Sequence, residues 1–176
     1  NAAFAQQQFR IDIDSRMLTP GDNSGPLLTE PGWTSLDATA VNGSNVTVDG
    51  IPFTVKGADN TGSRVRPSAP SNLTADFIHD GGDGVDVRLE LGTLAVGFPE
   101  GRWRARIWMW DEAFANFETN IMQVGWQDDS GIEYLVDDHV VPQPSAHAAE
   151  FSFYSDGGQM DLFVRENSST NRCRIN

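Results

Sequence analysis

One short stretch of the chain, residues 102–110, alternates between two kinds of side chain. If it forms a β-strand, in which successive side chains point to opposite faces, one face is apolar and suits a protein core. The other face carries, in order, Arg102, Arg104, Arg106, Trp108 and Trp110. Guanidinium groups bind hydroxyls, carboxylates and sulfates, and flat indole rings stack on the apolar faces of sugar rings. This face therefore has the chemistry of a surface that binds a sugar chain.

A structural interpretation of the same arginines remains open. The preceding run, residues 85–91, alternates in the same way and carries Asp86, Arg88 and Glu90 on its polar face. If the two runs pair as a hairpin, cross-strand carboxylates would neutralise much of the arginine row. The sequence allows both interpretations.

A long polar segment, residues 57–70, is expected to form a loop that carries binding groups. Its Arg64 and Arg66 would supply the polar part of a sugar pocket, with Trp110 or Phe114 as the stacking floor. Alternatively, one of these arginines bridges the loop to an acidic residue such as Asp76 or Glu112. The candidate ligand-binding residues are therefore Trp110, Arg64, Arg66, Asp111 and Phe114.

Acidic residues also offer ligands for calcium, which takes six to eight oxygens from carboxylates, carbonyls and water. Asp12 and Asp14 share one face of the first predicted strand, and Asp161 lies on a strand near the end of the chain. Because the first and last strands of a jelly roll are often neighbours, these three carboxylates are expected to converge. The alternative is a solvated acidic surface. Other candidates are Asp80, Asp83 and Asp86, the pair Asp128 and Asp129, and the pair Asp137 and Asp138.

Residues arranged for catalysis are not evident. The chain contains no nucleophile elbow, no zinc-protease motif and no phosphate-binding loop, and its three histidines lie far apart in sequence. Asp111, Glu112 and Glu118 could supply the carboxylate pair of a glycosidase, but neighbouring strand residues point to opposite faces. We therefore expect a protein that is not an enzyme.

Composition narrows the range of partners. The chain has 176 residues and a formal net charge of −13, with a pI of about 4.4. Duplex nucleic acid and anionic membranes are therefore unfavourable partners for the molecule as a whole. The single cysteine, Cys173, rules out an intramolecular disulfide, and no apolar run approaches the roughly 20 residues of a membrane span.

The remaining pattern predicts strands almost throughout. Nine or ten short alternating runs recur between clusters of Gly, Pro, Asn and Asp. Hairpin turns are predicted at Asp49-Gly50, at residues 128–131 and at residues 155–158. The expected fold is an all-β, antiparallel β-sandwich of the jelly-roll type, formed by residues 9–176 after a flexible tail or linker at residues 1–8.

Several short motifs follow one another along the chain. They are Phe9-Arg10-Ile11-Asp12-Ile13-Asp14, Pro31-Gly32-Trp33, Gly50-Ile51-Pro52-Phe53-Thr54-Val55, Arg64 with Arg66, Leu73-Thr74-Ala75-Asp76-Phe77-Ile78, Gly101-Arg102-Trp103-Arg104-Ala105-Arg106-Ile107, and Met160-Asp161-Leu162-Phe163-Val164. In this order they resemble the malectin-like and galactose-binding-like jelly-roll domains. The resemblance extends from about Phe9 to Asn176.

The resemblance implies a non-catalytic carbohydrate-binding module. Bacteria often append such modules to secreted polysaccharide-degrading enzymes, so it also implies an extracellular location within a larger multidomain protein. It further implies sugar binding through loops at one edge of the sandwich, and often a structural calcium. The arginine row favours an anionic or marine polysaccharide. The alternatives are a structural or adhesion β-sandwich that binds protein, and a small jelly-roll lyase or hydrolase.

Overall fold

The computed structural model describes residues 7–40, 43–57, 62–65, 71–72, 76–80, 86–110, 122–141, 146–166 and 173–176. These residues contain thirteen strands and no α-helix. The strands are β1 (Ile11–Asp14), β2 (Thr34–Asp37), β3 (Asn45–Val48), β4 (Ile51–Lys56), β5 (Gly62–Val65), β6 (Asp76–Asp80), β7 (Asp86–Leu91), β8 (Gly101–Ile107), β9 (Met122–Gln127), β10 (Glu133–Val140), β11 (Ala149–Ser155), β12 (Met160–Glu166) and β13 (Cys173–Ile175).

The described strands form one large sheet and three small ones. The large sheet has six strands in the order β10-β9-β12-β7-β4-β3, and the small sheets are β1-β2, β11-β8 and β13-β6-β5. Every pairing is antiparallel except that of β1 with β2, which is parallel. The predicted all-β sandwich is confirmed, and the parallel pair is a local departure from an antiparallel design.

The core lies between the large sheet and the smaller ones. Alternate residues of β7 and β12, such as Leu89 and Leu162, turn inward, and they join one buried cluster with Ile107 of β8 and Phe151 of β11. Contact between the layers is direct, because the Trp126 ring on β9 lies 6.1 Å from the Phe153 ring on β11. Burial of large apolar side chains contributes about 1.5–3 kcal/mol each, so this shared core is what holds the layers together.

Two of the predicted hairpins are confirmed. Asp49 and Gly50 join β3 to β4 with φ angles of 51° and 82°, the positive values that a two-residue hairpin turn requires. Residues 128–131 join the paired strands β9 and β10.

The third predicted hairpin is wrong. Residues 155–158 connect β11 to β12, but β11 pairs with β8, whereas β12 pairs with β7 and β9. The chain therefore crosses from one layer to the other at this point. Residues 92–100 cross in the same way between β7 and β8, so these two strands do not form a hairpin either.

The two crossing connections lie side by side. The Phe98 N–H donates to the Gly158 carbonyl at 2.8 Å, and the Ser155 hydroxyl donates to the Phe98 carbonyl at 3.0 Å. A Cβ atom at Gly97 would lie only 1.7 Å from the Gly157 carbonyl oxygen. Close approach of the two backbones therefore requires glycine at position 97.

Gly97→Ala is expected to destabilise the protein by about 2 kcal/mol or more, because the added methyl forces the two connections apart. For a domain of this size, this corresponds to a fall in Tm of at least about 4 °C, measured by thermal denaturation followed by circular dichroism. Ala95→Ser is the matched control, because it also adds one atom but at an exposed position of the same connection. Equal Tm values for the two variants would contradict the close packing of the connections.

Among the described residues, no helix is long and apolar enough to cross a lipid bilayer.

Candidate functional site

The outward face of β8 is a row of three guanidinium groups. Arg102, Arg104 and Arg106 are exposed, whereas Ala105 and Ile107 are buried in the core. The predicted division into an apolar and a cationic face is therefore confirmed over β8, from Arg102 to Ile107. Because alternate strand residues are about 6.8 Å apart, the row is on the order of 13 Å long.

The carboxylate that faces this row comes from β11. Glu150 lies opposite Arg106, and its oxygens lie 2.6 Å from Arg106 Nε and 3.2 Å from Arg104 Nη1. The His147 Nε2 atom lies 3.3 Å from the same carboxylate. The hydrogen bond from Arg106 is the main reason that the pKa of Glu150 lies below its ordinary value.

The row keeps an excess of positive charge. Arg104 and Arg106 share one carboxylate, and Arg102 has no ion pair within the described part of the chain. Opposite Arg102 lies Tyr154, which is half exposed and whose hydroxyl donates to Glu100 at 3.1 Å. That hydrogen bond raises the pKa of Tyr154. A flat surface of cations and one phenol ring therefore remains open to solvent.

An aromatic group closes the other end of the row. Trp108 is half-buried, and its ring meets Trp33 edge-on at 5.1 Å and His147 at 6.0 Å. Trp33 is itself only partly buried. His147 connects the two indole rings to the row, because it contacts both the Trp108 ring and the Glu150 carboxylate.

Trp110 does not take part in this surface. Only 8% of it is exposed, and its backbone N–H donates to the Asn176 side-chain oxygen at 2.6 Å. Strand β8 ends at Ile107, so the alternation that predicted an outward Trp110 no longer applies there. Its ring therefore offers no open face to a sugar. The prediction that Trp110 forms the stacking floor of a sugar pocket is wrong, because this side chain is buried.

The other predicted ligand-binding residues lie elsewhere or outside the described part of the chain. Arg64 lies on β5, so the segment expected as a loop contains a strand. Its Nη1 atom donates to the Ser63 carbonyl at 2.6 Å and contacts the Met17 sulfur at 2.9 Å. Arg66, Asp111 and Phe114 lie outside the described residues.

A second charged group lies on the outer face of the large sheet, and it is neutralised internally. Arg88 and Arg165 lie over the Phe163 ring, with guanidinium carbons 5.4 and 4.9 Å from its centroid. Both also form ion pairs with Asp86 and Glu133. Because the cations and acids pair within one face, this cluster stabilises the sheet and leaves little charge for a ligand.

Asp12 and Asp14 form a buried acidic pair. Both are 0% exposed and lie on one face of β1, beneath the segment that leads to β2. Asp12 Oδ2 accepts the Glu30 N–H at 2.5 Å, and Asp14 Oδ2 accepts the hydroxyls of Thr29, at 2.5 Å, and Ser35. Burial raises the pKa of Asp12 to about 7, and the negative charges of Asp14 and Glu30 contribute to this rise.

Asp12 and Asp14 provide some, but not all, of the oxygen ligands that a calcium ion needs. Asp12 Oδ1 and Asp14 Oδ1 are buried and have no hydrogen-bond partner among the described residues. Carboxylate and hydroxyl oxygens are suitable calcium ligands. No group of three or more His, Cys, Asp or Glu side chains that would hold a metal occurs in the described ranges. A calcium ion here would therefore rely on the two carboxylates, neighbouring hydroxyl or carbonyl oxygens, and water.

Asp161 belongs to a different environment. It lies on β12 in the large sheet, 3.5 Å from Arg88 Nη1, whereas β1 pairs with β2 in a separate small sheet. Burial raises its pKa, and the positive charges of Lys56 and Arg88 oppose that rise. The expected convergence of Asp161 with Asp12 and Asp14 assumed that β1 and β12 are neighbours, and this strand pairing does not occur.

Sequence reasoning did not identify the groups that β11 contributes. Glu150, Ser152 and Tyr154 alternate with buried residues, so their shared polar face was readable from the pattern. What the pattern did not show was that β11 pairs with β8.

No family model, curated protein or solved structure matches the chain.

Proposed function

We propose that this protein is a non-catalytic carbohydrate-binding module that binds an acidic polysaccharide across the face of β8 and β11. The observation that carries the proposal is the exposed row of Arg102, Arg104 and Arg106, in which Arg104 and Arg106 share a single carboxylate, Glu150. Such a module would hold an attached enzyme or a cell surface close to its polysaccharide outside the cell.

Charge supports an acidic ligand. The chain as a whole has a net charge of −13, so a polyanion is repelled by most of its surface. The three exposed guanidinium groups are a large local concentration of positive charge, because the chain has only 12 Lys and Arg residues. Guanidinium forks bind carboxylates and sulfates with two parallel hydrogen bonds, which a neutral sugar cannot match.

Geometry supports a chain-like ligand. The row is linear, and it ends at the partly exposed rings of Trp108 and Trp33. A polysaccharide lying along β8 would place acidic groups over the arginines and one sugar ring against the indoles. The half-exposed Tyr154 would add a further stacking surface at the opposite end.

We further propose a structural calcium at Asp12 and Asp14. Two buried carboxylate oxygens, which have no hydrogen-bond partner in the part of the chain that the structure describes, support this assignment. When bound, the ion would neutralise the pair and hold β1 to the segment containing Thr29 and Glu30, which already contacts both carboxylates. It would thus act on stability rather than on the sugar.

Affinity gel electrophoresis tests the proposed function. The probes are alginate and polygalacturonate as carboxylated chains, carrageenan as a sulfated chain, and hydroxyethylcellulose as a neutral one. We expect retardation in at least one acidic gel, none in the neutral gel, and loss of retardation at about 1 M salt, where the screening length is about 3 Å. Equal retardation in neutral and acidic gels, retardation in none, or release of reducing sugar would contradict the proposal.

A further inference from the structure

Among the described strands, β10 forms one edge of the large sheet, and it is unusually exposed. It pairs with β9 on one side, and all seven residues 133–139 are exposed. Four large apolar side chains lie on it or directly before it: Ile132 at 54% exposure, Tyr134 at 40%, Leu135 at 53% and Val136 at 44%. Proteins usually protect such an edge, because its free backbone groups can pair with another strand.

The open backbone groups can be assigned from the hairpin. The Asp128 N–H donates to the Ile132 carbonyl at 3.1 Å, which fixes the alternation of the antiparallel ladder. The N–H and C=O groups of Glu133 and Leu135 therefore point away from β9. Further along, the register shifts after Leu135, and the Asp137 carboxylate accepts the His139 N–H at 2.9 Å. The open edge is thus short and lies between residues 132 and 136.

Charge decides which strand could fill this edge. Asp128 and Asp129 precede the apolar residues, and Asp137 and Asp138 follow them. An antiparallel second copy would bring Asp137 and Asp138 toward the Asp128–Asp129 turn of its neighbour, which is unfavourable for like charges. A segment with basic residues at both ends would instead meet acidic groups at each end of the edge.

We propose that the β10 edge binds an extended peptide segment with apolar residues at its centre and Lys or Arg at both ends. The segment would add a strand beside β10, with backbone hydrogen bonds to Glu133 and Leu135 and apolar contact with Leu135 and Val136. This interaction is independent of the arginine row, which lies on β8 in a different sheet. Binding at the β10 edge would join the module to a protein partner and leave the arginine row on β8 open to a polysaccharide.

The test measures binding of a fluorescent peptide, Arg-Lys-Val-Thr-Val-Thr-Val-Lys-Arg, by anisotropy. Leu135→Pro removes an outward N–H without removing a ladder hydrogen bond, and it is expected to weaken binding at least tenfold. Leu135→Val keeps the N–H and an apolar side chain, so it should bind within about threefold of the parent protein. A peptide with Glu in place of the basic residues should not bind.

A second measurement uses the unaltered protein, so it does not depend on the folding of a proline variant. Addition of the basic peptide is expected to slow hydrogen exchange at the amides of Glu133 and Leu135. The proposal is overturned if these amides are unaffected at saturating peptide, if the acidic peptide binds equally well, or if Leu135→Pro folds and binds like Leu135→Val. A concentration-dependent dimer that Leu135→Pro abolishes would also overturn it, in favour of a second copy.

Discussion

Replacement of Arg102 and Arg104 together by glutamine is expected to weaken binding to an acidic polysaccharide by about 100-fold. Hydrogen bonds to charged groups contribute about 1.5–3 kcal/mol each, and a factor of ten in Kd corresponds to about 1.4 kcal/mol. Arg106 stays in place because it already holds Glu150 through its Nε atom. Isothermal titration with an oligosaccharide of the polysaccharide that retards the protein measures the change.

The control must remove the same charge from another surface. Arg10→Gln with Arg16→Gln does so, because both arginines are exposed and Arg16 makes only a long ion pair, 3.7 Å, with Asp37. We expect this variant to bind within about threefold of the parent protein. If both double variants lose affinity equally, binding follows the net charge of the protein, and the β8 face is not the site.

Alternation in the sequence predicts the faces of this protein well. For β8 it separates the exposed arginines from the buried residues, because a strand reverses its side-chain direction at every residue. The same rule fails at Trp110, three residues after the strand ends. Trp108 and Trp110 share a predicted face, yet Trp108 is half-buried and Trp110 is buried. The rule is valid only while the backbone stays extended, and the sequence does not mark where β8 stops.

Strand pairing is much harder to predict than strand faces. The run Asp86–Leu91 precedes β8 and carries Asp86, Arg88 and Glu90 on its polar face, so a hairpin between this run and β8 was a reasonable expectation. In the structure, Asp86 pairs with Arg165 and Arg88, and Glu90 pairs with Lys56, all on the large sheet. Turn residues indicate that the chain bends, but not whether it returns to the same sheet or crosses to the facing one.

In the candidate site too, the features that depend on the face of one strand were predictable, and those that depend on strand pairing were not. The shared outward face of its three arginines was predicted, because a single run carries all three. The candidate ligand-binding residues expected from the sequence, however, were Trp110, Arg64, Arg66, Asp111 and Phe114. Glu150, Tyr154 and Trp33 come from other parts of the chain, and their position depends on tertiary pairing. Arg64 was assigned to a loop because β5 has only four residues and lies in a segment rich in Gly, Pro and Ser.

The buried acidic pair leads to a prediction whose sign changes with calcium. In EDTA, Asp12→Asn is expected to stabilise the protein above pH 7. The pKa of Asp12 is about 7 in the folded protein, whereas its ordinary value is 3.8. Between these two pH values, the folded state therefore holds a proton that the unfolded state has released. Stability therefore falls as pH rises from about 4 to 7, and the loss, on the order of 4 kcal/mol, persists above pH 7. Asparagine is neutral throughout and avoids this loss.

Calcium at about 10,000 times its Kd should reverse the order of the two proteins. An ion that binds only the folded state then adds about 5.5 kcal/mol, which exceeds the loss of about 4 kcal/mol, and Asp12→Asn removes one of its two carboxylates. Tm values at pH 5 and pH 8, in EDTA and in calcium, measure both effects. Asp49→Asn, the same change in an exposed turn, controls for the lost charge. If the asparagine variant is less stable than the parent at pH 8 in EDTA, the raised pKa of Asp12 is contradicted. If calcium stabilises both equally, Asp12 is not a calcium ligand.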